Sequence, residues 1–301
     1  MQSVTAAAGA SLAPAKINLA LHVTGQRADG YHIIESLAVF TRFGDRIEAE
    51  PAEQDTFGVS GKYATAVPDD SGNLVLKARD ALRQRFGADC APPVAISLEK
   101  NLPVASGIGG GSSDAAATLR VLAKLWNLAV DEAELARIGL TLGADVPMCL
   151  AAQPLIARGI GEELETLPDF PALGLVLVNP NVAVSTAEVF AALERRDNGK
   201  LPPLPPTLDF HSLRNWLEIT RNDLQPAAQK LHPAIGRALS ALKRADAGFA
   251  RMSGSGATCF GLFETGNVAK RAAASIRSHY PEMFVAATRS MAAGADAHGQ
   301  N

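Results

Sequence analysis

The chain has 301 residues, 47% of them hydrophobic and 20% charged, with a formal net charge of −3. That length allows one large domain or two ordinary ones, and lysine and arginine are too dispersed for a nucleic-acid footprint. No apolar stretch reaches membrane-spanning length, the start lacks a leader pattern, and Cys90, Cys149 and Cys259 have neither zinc nor redox spacing, which points to reduced thiols in a cytosol.

After a tail of small residues, Ala13 to Val23 alternates, with Ile17, Leu19, Leu21 and Val23 on one face and Lys16, Asn18, Ala20 and His22 on the other. This predicts a strand with one buried side. Its other face offers an ammonium and an amide, at Lys16 and Asn18, which an isolated strand would simply leave in water. Gly25 to Gly30 reads as a loop with Asp29-Gly30 turn chemistry, delivering Tyr31 and His32 to a second strand that runs to Phe40. An aromatic beside a histidine at a turn edge is more often packing than recognition. Asp45 to Glu50 predicts another strand, Asn73 to Phe86 a helix, and Val94 to Leu98 a further strand.

Between Leu102 and Trp126 stands an unusual stretch: Gly107, Gly109, Gly110 and Gly111 crowd into five positions, and Ser112 and Ser113 follow. Ala115, Leu119, Leu122 and Trp126 then recur at helical spacing, so a helix begins there with one apolar face. Ser112 or Ser113 is the expected N-cap, and Asp114 suits the positive helix end. Glycines that accept positive φ, set before a helix N-terminus, gather backbone N–H groups into an anion cradle. One glycine would serve for a mere turn. The Gly-x-x-x-x-Gly-Lys-Ser/Thr pattern is absent and the dinucleotide fingerprint fails at Ser112, so the cradle is of another lineage.

Asp131 to Leu142 predicts a helix with Asp131 and Glu134 as its capping box and Gly143 as its stop. Asp145 follows, ahead of Pro147, which should resist helix continuation; a lone carboxylate there would ordinarily cap a turn. Arg158 to Gly161 suggests a hairpin turn, Gly174 to Val178 a buried strand, and Ser185 or Thr186 the cap of a helix carrying Val189, Phe190 and Leu193. Leu201 to Pro206 is a proline-rich loop expected to be extended and exposed. Helices are expected over Leu213 to Trp216, Leu224 to Gln229 and Ile235 to Leu242. A second glycine–hydroxyl loop, Met252 to Ala257, leads into a strand from Thr258 to Phe263, and a helix from Val268 to His279 precedes a strand from Met283 to Thr288. The tail from Ala292 is small and polar and expected to be disordered.

Together these pieces resemble the GHMP kinase superfamily of small-molecule kinases, and within it the branch whose acceptor is a cytidyl-diphosphate polyol, diphosphocytidyl-methylerythritol. The resemblance rests on Pro14-Ala-Lys-Ile-Asn-Leu, Gly25 to His32, Leu102 to Ala117, Gly143-Ala-Asp-Val-Pro147 and Arg251 to Ala257. It implies an α/β (α+β) fold of two domains, a ribosomal-S5-like nucleotide domain over residues 1–161 and a ferredoxin-like domain over residues 162–301. It implies Lys16 and Asp145 as catalytic pair, and Pro103, Val104, Ala105, Ser106, Gly107, Ile108, Gly109, Gly110, Gly111, Ser112 and Ser113 as the ATP-phosphate loop. Asn73 and Lys100 match positions near the nucleotide, and Asn18, Tyr31, His32, Thr186 and Phe190 positions that hold the acceptor, with Tyr31 and Phe190 flanking its base.

The implied cosubstrate is ATP with Mg2+, with no tightly bound cofactor and the metal ligands left open. The implied partners are small molecules, ATP and the cytidyl-diphosphate polyol, with no nucleic acid and no membrane. Monomer and homodimer both stay open, and the setting is cytoplasmic. Two other readings compete: a sibling kinase acting on homoserine or mevalonate, and a non-catalytic anion- or RNA-binding module on the same fold. Tyr31, His32 and Phe190 argue against the first, and the lack of a basic patch beside Lys16 and Asp145 against the second.

Overall fold

The computed structural model describes residues 9–292. The expected disordered tail lies outside these residues from position 293 on. The chain runs through β1 (Gly9–Gln26), β2 (His32–Pro51), β3 (Thr56–Ser60), α1 (Leu74–Phe86), β4 (Val94–Glu99), α2 (Gly110–Leu125), α3 (Glu132–Leu142), α4 (Val146–Ala151), β5 (Leu155–Arg158) and β6 (Glu163–Thr166). It continues through β7 (Gly174–Asn179), α5 (Thr186–Ala191), α6 (Phe210–Glu218), α7 (Gln225–Leu231), α8 (Ala234–Arg244), β8 (Phe249–Met252), β9 (Cys259–Phe263), α9 (Gly266–His279) and β10 (Phe284–Arg289). Among the described residues no helix is long and apolar enough to cross a membrane.

Two sheets result. The first has the order β3-β4-β2-β5-β6, with β1 along the other edge of β2. The second is antiparallel in the order β10-β7-β9-β8, which is the ferredoxin-like arrangement. Phe40, Ile47, Leu82, Leu119 and Leu122 fill the space between the first sheet and α1 to α4. Val176, Val178, Ala238, Leu242 and Ile276 do the same between the second sheet and its helices. A third cluster joins the sheets to each other: Ile17, Leu19, Leu37 and Val39 pack with Leu175, Leu177, Phe260, Leu262 and Phe284. The chain end reinforces that join, since Met291 N–H donates to the Phe40 carbonyl at 2.7 Å and Thr41 bridges to Ser290.

Several local expectations need correction. β1 starts at Gly9, inside the presumed tail, because Gly9 to Leu12 pair with Ala49 to Arg46. Its two faces are both buried: Lys16, Asn18 and His22 are as covered as Ile17 and Leu19. A register shift between Asn18 and Ala20 turns Ala20 toward the apolar side, which is what a bulge does. β2 is one continuous strand where two were expected. The edge strands β3 and β8 were not expected, since five and four residues are too few for a strand pattern to stand out. The proline-rich loop is half-buried over Leu201 and Pro202, where Trp216 Nε1 donates to the Pro203 carbonyl at 2.9 Å. The expected division at Gly161 falls in the turn between β5 and β6, and β6 still belongs to the first sheet.

Gly44 sits where β2 turns closely past β1. A β-carbon there would stand 2.1 Å from the Ala13 carbonyl oxygen, so the backbone must move to admit one. Gly44→Ala is expected to lower stability by about 1–3 kcal/mol, the usual range for overpacking, read as a drop in the urea midpoint at unchanged slope.

Candidate active site

A cleft of about 1100 Å³ opens between β1, the glycine stretch, α4 and α5. Its lining gathers Lys16, Asn18, Tyr31, His32, Asn73, Lys100, Asp145, Thr186 and Phe190, drawn from both sheets' sides of the chain. Of the expected phosphate loop, Pro103 to Gly107 and Gly109 to Ser112 line it too. Ile108 and Ser113 do not: both are fully buried, Ile108 in the apolar layer between the sheets.

The glycine stretch explains its own composition. Gly109 occupies the N-cap of α2 in the left-handed region, φ 66°, and Gly107 lies at φ 74°. Neither expected serine caps the helix. Ser112 and Ser113 fall within its first turn, and the Ser113 hydroxyl donates to the Pro14 carbonyl at 2.7 Å, tying α2 to β1. With no side chain capping it, the helix start turns its first N–H groups toward the cleft, as an anion site requires.

Asp145 occupies the N-cap of α4, yet its side chain makes no capping bond. It accepts instead from Lys16 Nζ at 2.6 Å. Pro147, expected to stop a helix, lies in the first turn of α4, where its missing N–H costs nothing. The pair is asymmetric: the Lys16 side chain is 7% exposed and that of Asp145 39%. The ammonium is thus fixed from behind, and the carboxylate keeps an open face toward the cleft.

Lys100 is committed elsewhere. Its Nζ contacts Asp45 Oδ2 at 2.6 Å and Asp114 Oδ2 at 2.5 Å, with all three side chains buried. Asp45 also accepts from the N–H groups of Asn101 and Leu102 at 2.6 and 2.7 Å. Burial pulls the Lys100 ammonium down, but the two carboxylates outweigh it and hold it above its ordinary value. Burial pushes the Asp114 carboxyl up to about 8, against the pull of Lys100 and with the help of Asp45. The trio lies directly under Gly110, whose β-carbon would come within 3.3 Å of Lys100 Nζ. Asn73 is similarly engaged, capping α1 through a bond from Val75 N–H at 2.8 Å and donating to the Pro68 carbonyl at 2.6 Å. Sequence reasoning gave Asp45 no role in the site, since nothing in a charged strand segment marks which carboxylate faces inward.

At the other end of the cleft the His32 ring stacks on Phe190, centroids 4.6 Å apart at 28°. Burial lowers the His32 pKa, with Arg196 acting in the same direction, which favours the neutral imidazole. His32 Nε2 and Asn18 Oδ1 are buried polar atoms without a partner. The Asn18 amide is aimed by its Nδ2, which donates to Ser36 Oγ at 2.7 Å. Tyr31 is 58% exposed at the cleft mouth, and Thr186 Oγ1 lies 2.8 Å from Ser255 Oγ, another lining residue that the sequence did not single out.

Family models described as "GHMP kinases N terminal domain" and "GHMP kinases C terminal" match residues 73–153 and 206–282. A 4-diphosphocytidyl-2-C-methyl-D-erythritol kinase of Mesorhizobium japonicum is 74% identical over 284 residues, 94% of this chain and 96% of that protein. The chain belongs to this kinase family. A crystal structure of a 4-(cytidine 5'-diphospho)-2C-methyl-D-erythritol kinase, 34% identical, superposes with a TM-score of 0.78 over 94% of this chain and 99% of that one. A homoserine kinase from Cytophaga hutchinsonii, 17% identical with a TM-score of 0.68 over 97% and 96% of the two chains, shares the fold. The two-domain fold of the kinase family is therefore the fold of this chain, and the cleft lies where its two sheets meet.

The buried trio yields a stability test. Lys100→Met keeps the side-chain length but leaves Asp45 and Asp114 without their cation. It is expected to cost about 3–5 kcal/mol, as removing one partner of a buried ion pair does, measured by denaturant unfolding. A stable variant that had lost only nucleotide affinity would instead assign Lys100 wholly to the ligand.

Proposed function

We propose that this protein transfers the γ-phosphoryl group of ATP to the 2-hydroxyl of 4-diphosphocytidyl-2-C-methyl-D-erythritol, the acceptor named by its relatives. The observation that carries the reading is the Lys16–Asp145 pair, 2.6 Å apart, in one cleft with an uncapped helix start and an aromatic wall. Phosphoryl transfer asks little covalent chemistry of the protein; it asks for positioning and for charge stabilisation. The acceptor oxygen attacks the γ-phosphorus, the bond to the bridging β–γ oxygen breaks, and ADP leaves with its electron pair. The hydroxyl proton passes to the open face of the Asp145 carboxylate. Lys16 keeps that carboxylate oriented and stabilises charge on the moving phosphoryl group.

The phosphates are assigned to the N–H groups around Gly107 to Ser112. Mg2+ is assigned to the phosphate oxygens of MgATP; among the described residues no three His, Cys, Asp or Glu side chains converge for a metal. The acceptor is assigned to the other end. Asn18 Oδ1 and His32 Nε2, both lacking a partner, are free to take bonds from its polar groups, and Tyr31 and Phe190 to flank its base, once His32 turns off the Phe190 face. We place the domain division between Thr166 and Gly174, where the chain passes from one sheet to the other. We assign the enzyme to the cytoplasm, in keeping with three free cysteines of which Cys149 and Cys259 are buried.

ATP consumption by the purified protein tests the assignment against a panel containing the cytidyl substrate, homoserine and mevalonate. Turnover with the cytidyl substrate alone is expected, and preference for either other alcohol refutes it. Asp145→Asn retains size but cannot accept the proton, so turnover should fall by about 10²–10⁴-fold while both ligands still bind. Tyr31→Ala should weaken acceptor binding by about tenfold or more, since base–aromatic stacking is worth about 1–3 kcal/mol. Isothermal titration should show ATP binding unchanged; equal weakening of both ligands would make Tyr31 structural.

A further inference from the structure

The second glycine loop, Met252 to Ala257, lies behind both ends of the cleft. Ser253 is fully buried and contributes nothing to the cleft lining. Its hydroxyl oxygen accepts from the Asn18 backbone N–H at 3.0 Å and donates to the Gly107 carbonyl at 3.1 Å. One side chain thus joins the acceptor wall to the phosphate loop. The join has no slack. A β-carbon on Gly254 would stand 2.5 Å from the Gly107 carbonyl oxygen, and one on Gly107 would stand 2.6 Å from the Ser253 carbonyl oxygen. Both glycines have positive φ, so two backbones touch where side chains would part them. Two further ties run the same way: Thr258 N–H donates to the Ser106 carbonyl at 3.0 Å, and Ser255 meets Thr186 on α5.

The loop is itself held from behind. Asn222 is buried and outside the cleft. Its Nδ2 donates to the carbonyls of Met252 and Gly254, both at 2.8 Å, while its Oδ1 accepts from Leu224 N–H at 3.0 Å. The same segment is laced to β1: Leu21 N–H donates to the Arg221 carbonyl at 2.8 Å, Asp223 N–H to the Leu21 carbonyl at 2.9 Å, and Val23 N–H to Asp223 Oδ2 at 2.8 Å. Asn222 therefore fixes Ser253 relative to the strand that carries Lys16 and Asn18.

We propose that Ser253, anchored by Asn222, is a positioning residue that makes nucleotide and acceptor binding mutually reinforcing. The inference rests on the assignment of the two cleft ends given above. A ligand that orders the phosphate loop also orders Asn18 and Thr186 through the shared joint, so the second ligand meets a wall already fixed. Linkage makes the effect reciprocal.

The test is calorimetric binding of a non-hydrolysable ATP analogue and of cytidine diphosphate, each alone and with the other saturating. In the wild type each affinity should improve by about fivefold or more in the presence of the other, the lower range of measured couplings. Ser253→Ala should bring that ratio close to one while each ligand alone binds within about threefold of wild type, as expected when coupling rather than contact is lost. Asn222→Ala should act in the same direction, and the double variant should lose no more than the single ones, because both act through one loop. A merely structural role would lower the melting temperature and leave the ratio intact. A folded Ser253→Ala protein that keeps the wild-type ratio overturns the proposal; if that variant does not fold, the ratio in Asn222→Ala decides in the same way. A wild type that binds both probes without synergy overturns the proposal alone, and one that binds neither overturns the cleft assignment with it.

Discussion

β1 is covered on both faces, and most of the molecule is arranged around that fact. On one side Ile17 and Leu19 join the layer that holds the two sheets together. On the other, Lys16 and Asn18 are pressed into the back of a cleft and kept from bulk water. An apolar side chain buried this way contributes about 1.5–3 kcal/mol, and a polar one costs unless it is partnered. The strand's neighbours meet the second condition for Lys16, which pairs with Asp145, and for the Nδ2 of Asn18, which donates to Ser36, while Asn18 Oδ1 stays without a partner. The layer between the sheets and the lysine of the proposed catalytic pair thus share a single stretch of backbone, so their geometry cannot be adjusted separately.

Charge is distributed around the cleft with the same economy. Two lysines approach the phosphate loop, and their surroundings assign them different work. Lys100 is enclosed by two buried carboxylates that offset its charge, so it supports the floor of the loop. Lys16 faces one carboxylate that remains partly open, the arrangement that the proposed transfer uses as cation and proton acceptor.

The sequence alone determined the glycine stretch that opens a helix and most of the regular elements. Gly107 to Gly111 before an apolar helical face, the Asp131 cap with its stop at Gly143, and the Ser185 cap all rest on short-range rules, and α3 and α5 follow them. The motif set from Pro14 to Ala257 also carried the family, because the order of several short motifs is information that needs no coordinates. Tertiary structure decided which groups meet. Lys16 and Asp145 are 129 positions apart and Ser253 and Asn18 are 235 apart, and no local rule relates residues so distant. It also decided that Asp145 would not cap its own helix, that Ser113 would bind β1 instead of its helix start, and that a strand with one polar face would be buried on both. Each outcome depends on a second chain segment arriving to supply a partner, and burial of a polar group is a property of that meeting, not of the residue.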